Sequence, residues 1–232
     1  MDGRLVRPAR RMSLTDQVHG ALKEALALGD FPPGTRLTNE GMAAAFEVST
    51  TPVREALQRL VSEGLLEPVS GGALAVPTLD RQAVRHLMDM VAEIEGLAAE
   101  RASETITRED LALARTAVGA MRSTFAAGDR RGCLAAKRDI ARALYRPCGN
   151  PYLLRQIETL AVLQGPIAGA LLPKFGGKAQ RGRLEALLLA MGARQGGRAR
   201  ALVAEIVAGN AELIVAALDA REEAAALRGR AG

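Results

Sequence analysis

The sequence predicts an all-α protein with one small β-hairpin: a unit of three helices and the hairpin, followed by an antiparallel helical bundle. Apolar residues make up 48% of the 232 residues and aromatic residues only 3%, so the core must be aliphatic. Apolar side chains recur at spacings of three and four over most of the chain, which indicates helices. One segment, residues 65–77, instead predicts two short apolar strands around a Ser-Gly-Gly turn.

The first two helices follow from their capping residues. Ser13 is an N-cap candidate for the first helix, and Gly29 ends it. The proline- and glycine-containing segment 30–36 cannot continue a helix. Thr38 then offers a cap to a second, short helix that ends near Phe46.

The third helix begins only three residues after the second. Pro52 is tolerated in its first turn, and the neighbouring hydroxyl side chains are expected to cap the free backbone donors. One face carries an apolar stripe: Val53, Ala56, Leu57, Leu60 and Val61. Two short helices joined by a tight turn, then a hairpin, form the pattern of a winged helix-turn-helix.

A winged helix-turn-helix places its third helix in the DNA major groove, with the N-terminal residues toward base edges. The sequence therefore predicts a DNA-contacting face on this helix. Its expected members are Ser49, Thr50, Thr51, Arg54 and Gln58.

Three runs of residues resemble the DNA-binding domain of GntR-family transcriptional regulators. They are Pro-Pro-Gly-Thr-Arg-Leu-Thr (32–38), Val-Ser-Thr-Thr-Pro-Val-Arg-Glu-Ala-Leu-Gln-Arg-Leu (48–60) and Glu-Gly-Leu-Leu-Glu (63–67). The resemblance covers most of the first 77 residues. It implies double-stranded operator DNA as a partner.

The same resemblance implies DNA contacts by individual residues, namely Arg36, Thr51, Arg54 and the wing around Gly72. This chain departs from the family pattern at two positions. The family usually has arginine where this chain has Thr50, and commonly glycine where it has Glu47. Loss of the arginine removes one DNA contact.

Composition and periodicity divide the chain into five segments. They are a basic tail (1–12), the winged helix-turn-helix (13–77), a linker (78–80), a helical domain (81–226) and a short tail (227–232). The basic tail is expected either to touch the phosphate backbone or to be a solvated terminus.

Beyond the linker the sequence predicts six or so packed helices with an Ala and Leu seam. This arrangement, together with the local sequence Arg142-Ala-Leu-Tyr-Arg-Pro-Cys-Gly-Asn-Pro-Tyr-Leu153, is similar to the FadR-type branch of the family, with its helical FCD domain. Members of that branch dimerise and hold a small effector inside the bundle. The resemblance therefore implies a homodimer with an effector site in the second domain.

Many relatives bind a divalent metal in this bundle through an aspartate and three histidines. Aligned on Gly149-Asn150-Pro151, this chain has none of these ligands; the four positions hold Lys137, Ala141, Leu184 and Ile206. Its two histidines are His19 and His86. Carboxylates alone suit a transition metal poorly, so we expect no bundle metal and no cofactor.

Lys137 falls on the stripe of apolar residues that should face inward. A buried ammonium group must extend to solvent, pair with a carboxylate or meet an anion, because leaving it unpaired is costly. One hypothesis is that Lys137, with Arg142, anchors an acidic effector such as an organic acid. Extension to solvent and an internal ion pair are the alternatives.

Other features limit the function. The net charge is +5, but Lys and Arg number 8 against 9 Asp and Glu through Pro77, and 23 against 17 beyond it, so the overall charge alone proves little. No Ser/His/Asp or Cys/His arrangement and no phosphate-binding glycine loop is present, so we expect no catalysis. We expect free thiols at Cys133 and Cys148, no membrane partner and a cytoplasmic location.

The sequence thus predicts a dimeric, effector-controlled transcriptional regulator, most often a repressor in families of this kind. The alternative is a ligand-independent architectural or protein-binding factor whose pocket is filled by apolar side chains.

Overall fold

The computed structural model describes residues 12–169 and 178–230, without the side chains of residues 169, 178–181 and 221–230. It forms two compact units. The first comprises residues up to Ala25 and Gly34–Pro77, and the second comprises Leu26–Pro33 and the chain from Thr78 onward. The chain divides at Pro77, where the linker was expected, but residues 26–33 belong to the second unit. Residues 1–11 of the expected basic tail lie outside the described residues.

The first unit contains the three expected helices. They are α1 (Leu14–Ala27), α2 (Asn39–Phe46) and α3 (Thr50–Ser62). The Ser13 hydroxyl accepts a hydrogen bond from the Asp16 N–H at 3.1 Å, which caps α1. The Thr38 hydroxyl accepts from the Gly41 N–H at 3.0 Å, which caps α2 as predicted.

A small antiparallel sheet completes the first unit. Its strands are β1 (Arg36–Leu37), β2 (Glu67–Pro68) and β3 (Leu74–Ala75), in the order β1-β3-β2. Leu74 pairs with Leu37 on one side and with Pro68 on the other. The predicted hairpin is confirmed as β2 and β3. Strand β1 was not predicted, because a strand of two residues is too short to show an alternation of apolar and polar residues.

The apolar stripe of α3 forms the centre of this unit. Val53, Ala56 and Leu60 have no exposed side-chain surface, and Leu57 is 1% exposed. Val61, also expected in the stripe, is half-buried. Full burial of a leucine or valine contributes about 1.5–3 kcal/mol, so this stripe fixes α3 firmly and leaves its other face to solvent.

The turn between α2 and α3 depends on Glu47. This residue has φ 56° and ψ 41°, the left-handed conformation that normally favours glycine. Its backbone N–H bonds to the Ala44 carbonyl at 3.3 Å and ends α2. The left-handed turn directs the chain into α3 after only three residues, at the cost of backbone strain.

The second unit contains six α-helices among its described residues, with a short 3₁₀ helix, Arg146–Cys148, after the third of them. They are α4 (Arg81–Thr105), α5 (Arg108–Ala126), α6 (Arg130–Tyr145), α7 (Pro151–Gly169), α8 (Lys178–Gly192) and α9 (Gly196–Arg230). Helix α9 continues four residues past the predicted domain end at residue 226. Helix α4 packs along α9, and α5 packs along α6. Asp80 caps α4, and Thr107 with Asp110 forms a capping box on α5.

Residues 26–33, which follow the body of α1, pack against α6 and α7 within the second unit. A Cβ added at Gly165 would lie against the Leu26 carbonyl oxygen and 2.7 Å from that of Ala27, so only glycine allows this approach. The Arg130 guanidinium donates to the Gly29 carbonyl at 2.5 Å. Leu28 packs with Cys133, Leu134 and Ala168.

Helix α9 is unusually apolar. Its segment Gly196–Ala220 contains an 18-residue window with a mean hydropathy of 1.8, and the helix is therefore long and apolar enough to cross a membrane by length and composition alone. Polar residues interrupt this segment, so it does not form a continuous apolar run. The core helix of a bundle meets the same criterion, and α9 buries five apolar side chains in the core of the second unit: Ala199, Leu202, Val203, Val207 and Ile214.

Replacing Glu47 with Gly is expected to stabilise the first unit by about 0.5–1 kcal/mol, because glycine adopts the left-handed conformation without strain. The measurement is urea unfolding. Ala44→Gly, at an exposed position in the body of α2, is the matched control and should destabilise by about 1 kcal/mol. A loss of stability in Glu47→Gly would contradict the role assigned to this turn.

Candidate functional sites

The first unit presents a polar face made by α3 and the wing. All seven residues predicted to contact DNA are exposed: Arg36, Ser49, Thr50, Thr51, Arg54, Gln58 and Gly72. Five of them lie on α3 or at its N-cap. The apolar stripe on the opposite face of α3 is buried, so packing alone directs these side chains to solvent.

The polar residues of α3 fall into two groups. Glu55 accepts a hydrogen bond from the Thr15 hydroxyl at 2.9 Å, and Arg59 forms an ion pair with Asp16 at 2.7 Å, so both are bonded to α1. In contrast, Thr50, Thr51, Arg54 and Gln58 make no side-chain hydrogen bond to any residue that the structure describes. These four are available to an external partner.

Ser49 lies at the N-cap of α3 with an extended backbone, but its side chain makes no capping hydrogen bond. The expectation that its hydroxyl would cap the helix is therefore wrong. The start of α3 is exposed, and the free N–H groups of a helix N-terminus favour anions such as phosphate.

The wing brings Arg36 to the tip of the hairpin. Arg36 belongs to β1, and its guanidinium donates a hydrogen bond to the Ser70 carbonyl. Gly71 and Gly72 have φ values of 81° and 74°, conformations that side chains rarely adopt. The tip is therefore small and carries one positive charge from a neighbouring strand.

The second unit contains a cavity of about 120 Å³ between its helices. Four of the predicted effector residues line it: Lys137, Ala141, Leu184 and Ile206. Arg142 does not; it is exposed and lies 3.3 Å from Asp139 in a surface ion pair. The structure thus brings together at one cavity the four residues that the sequence alignment had matched to the metal ligands of relatives, and leaves Arg142 outside it.

Four polar residues in the cavity wall were not predicted from the sequence. They are Glu95 from α4, Tyr145 from α6, Gln164 from α7 and Asn210 from α9. The signal was present: each occupies a polar position within an apolar stripe, as Glu95 does between Val91 and Ala98.

The polar cavity residues form two hydrogen-bonded groups. The Tyr145 hydroxyl donates to Glu95 Oε2 at 2.9 Å. The Lys137 ammonium donates to Gln164 Oε1 at 3.1 Å, and Gln164 in turn donates to the Leu160 carbonyl at 3.3 Å. One group is therefore centred on a carboxylate and the other on an ammonium.

Burial and the charge of the other residue shift the pKa values of Glu95 and Lys137 in opposite directions. Burial raises the pKa of Glu95, against the attraction of Lys137 and the hydrogen bond from Tyr145. Burial lowers the pKa of Lys137, against the attraction of Glu95. Burial also raises the pKa of Tyr145, and the Glu95 charge adds to it, so the phenol stays protonated and can donate.

The cavity does not fit the divalent metal that the family resemblance implies. An ammonium occupies the position of the expected carboxylate ligand, and the wall contains no histidine. Among the side chains that the structure describes, no three His, Cys, Asp or Glu residues come together in a metal-binding arrangement. His86 is exposed on α4, and His19 pairs with Glu63 at 2.8 Å in the first unit.

Comparison with known proteins agrees with this architecture. The family described as "Bacterial regulatory proteins, gntR family" matches residues 14–76, and the FCD domain matches residues 86–209. The HTH-type transcriptional regulator McbR of Escherichia coli K12 is 33% identical over 157 residues, which span 68% of this chain and 71% of McbR.

A solved structure and a second relative extend the comparison. The structure of E. coli McbR/YncC superposes with a TM-score of 0.79 and 31% identity, covering 88% of this chain and 98% of that one. A protein described as the probable D-xylose utilization operon transcriptional repressor of Paenarthrobacter nicotinovorans is 28% identical over 152 residues, 66% of this chain and 67% of its own. The chain belongs to the GntR family of bacterial transcriptional regulators, with an FCD domain as its helical second unit.

Proposed function

We propose that the protein is a dimeric, cytoplasmic repressor that binds operator DNA through α3 and the wing, and that a small effector in the helical cavity controls this binding without a metal. The observation that carries the proposal is the cavity itself. A regulator of this family that uses no effector has no need of a space lined by buried polar groups.

The DNA-binding part of the proposal rests on the side chains of α3. Thr50, Thr51, Arg54 and Gln58 are exposed and unbonded among the described residues, whereas other polar side chains of the same helix are bonded to α1. Two such helices in a symmetric dimer would read a roughly palindromic operator in successive major grooves. Arg36 at the wing tip and the exposed N-terminus of α3 supply groups for phosphate.

The effector part rests on Lys137 and on the path of the chain. The positive charge of Lys137 lies in the cavity wall, where it would bind the acidic group of an effector. Leu134, Gln164 and Ala168 line the same cavity, and residues 26–33 pack on α6 and α7 beside them. Those residues are covalently continuous with α1, so a ligand that shifts α6 or α7 can shift the populations of the operator-binding states.

The alternative of a ligand-independent factor predicts a cavity filled by apolar side chains. The space of about 120 Å³ and its five polar residues Glu95, Lys137, Tyr145, Gln164 and Asn210 favour effector control instead. A relative described as a repressor supports the proposed sign of regulation.

Arg54→Ala is expected to weaken binding to the operator by about 1–3 kcal/mol if Arg54 contacts a base. The measurement is a titration of wild-type and variant protein against an operator selected from a random DNA pool, at fixed salt. Equal losses on operator and random DNA would instead assign Arg54 to the phosphate backbone.

The matched control for Arg54→Ala is Arg59→Ala. It removes the same charge from the same helix at a position bonded to Asp16, and should leave operator affinity within a few-fold of the wild type.

Light scattering of the wild-type protein should give twice the chain mass of 24.4 kDa. A monomeric mass on the operator would contradict the dimer.

Lys137→Met is expected to abolish the response to the effector while leaving operator binding intact. A metabolite panel screened by thermal shift on the wild-type protein identifies the ligand, since binding to the folded state raises the melting temperature. Operator release by that ligand is then compared in the two proteins. An unchanged response in Lys137→Met would remove Lys137 from the effector site.

A further inference from the structure

The cavity carries two opposite charges that do not touch. Glu95 from α4 and Lys137 from α6 both line it, and each shifts the other's pKa by attraction. Their nitrogen and oxygen atoms are nevertheless farther apart than the 4.0 Å of a salt bridge. The cavity is therefore close to neutral, but its positive and negative sides are separated.

Both charged groups keep unused hydrogen-bonding capacity. Glu95 Oε2 accepts from Tyr145, while Oε1 accepts from no residue that the structure describes. The Lys137 ammonium has three N–H donors, and one bond, to Gln164, accounts for a single donor. Neither residue is fully buried, and the cavity is the space that both of them line.

This arrangement discriminates between classes of ligand. A simple anion could bind Lys137, but it would add a second negative charge beside Glu95. A simple cation would do the reverse beside Lys137. A purely apolar molecule would displace water from both charged groups and leave them without partners, which is costly.

We infer that the cavity holds a small zwitterion with an apolar body, whose carboxylate binds Lys137 and whose ammonium binds Glu95. A cavity of about 120 Å³ has room for roughly six to ten non-hydrogen atoms, the size of an apolar α-amino acid. The rest of the wall is apolar, with Leu134, Leu144, Leu187 and Val207 among its residues. This inference rests on the proposed effector control and names the ligand class for that site.

Matched ligands test the inference on the wild-type protein, without any variant. One set consists of L-leucine, 4-methylpentanoate, which lacks the amino group, and 3-methylbutan-1-amine, which lacks the carboxylate. Corresponding sets built on valine and methionine vary the apolar body. Isothermal titration should show that, in at least one set, the amino acid binds at least tenfold more tightly than both truncated analogues.

Variants then assign the two ends of the ligand. Glu95→Gln, which can still accept from Tyr145, should weaken the amino acid at least tenfold and make the deaminated acid the better ligand of its set. This change leaves Lys137 without its partner charge and could unfold the protein. In that case the double variant Glu95→Gln/Lys137→Met replaces it in the experiment. The double variant should bind neither the acid nor the amino acid. Asp139→Asn, exposed on α6 outside the cavity, is the control and should bind like the wild type.

The outcomes separate this inference from the function on which it rests. Equal or tighter binding of the deaminated acids would overturn the zwitterion and leave an acid-responsive regulator. Failure of all three sets to bind would also overturn it. The proposed effector control itself falls only if no compound of the wider metabolite panel changes operator binding.

Discussion

A half-buried charge among apolar side chains must find a partner, and the cavity of the second unit contains two such charges. Burial alone would favour neutral Lys137 and neutral Glu95, because it lowers the pKa of the first and raises that of the second. Their attraction across the cavity opposes both shifts. Tyr145 forms one hydrogen bond with Glu95, and Gln164 forms one with Lys137. Asn210 from α9 also lines the cavity, so four helices contribute polar residues to this site.

The same helices also hold the segment that leads back to the DNA-binding unit. Gly165, one residue after Gln164, accepts the close approach of the Leu26 backbone, and Leu28 packs on Leu134 and Ala168 of the cavity wall. A ligand that changes the distance between α6 and α7 therefore acts on residues directly joined to α1. In the first unit, α1 is bonded to α3 through Thr15 and Asp16.

The sequence predicted the elements well and the cavity only in part. Caps such as Thr38 and the apolar stripe of α3 are local signals, and the structure confirms them. Lys137 was conspicuous because an ammonium is rare on an apolar stripe. Glu95 was missed because Lys137, the opposite charge in the cavity, lies 42 residues away on another helix, and periodicity cannot show that the two helices face each other. Arg142 directly follows Ala141 of the cavity wall in sequence, but it faces solvent because helical geometry points successive side chains in different directions.

A double-mutant cycle between Glu95→Gln and Lys137→Met tests most directly whether these two residues form one charge-balanced site. The free energy of unfolding is measured by urea for the wild type, both single variants and the double variant. Each single change should lower the free energy of unfolding, and the double change should lower it by less than the sum of the two. The expected coupling energy is about 1 kcal/mol or more. Costs that add within about 0.5 kcal/mol would show that the charges are independent, and would contradict the neutral cavity on which the ligand class depends.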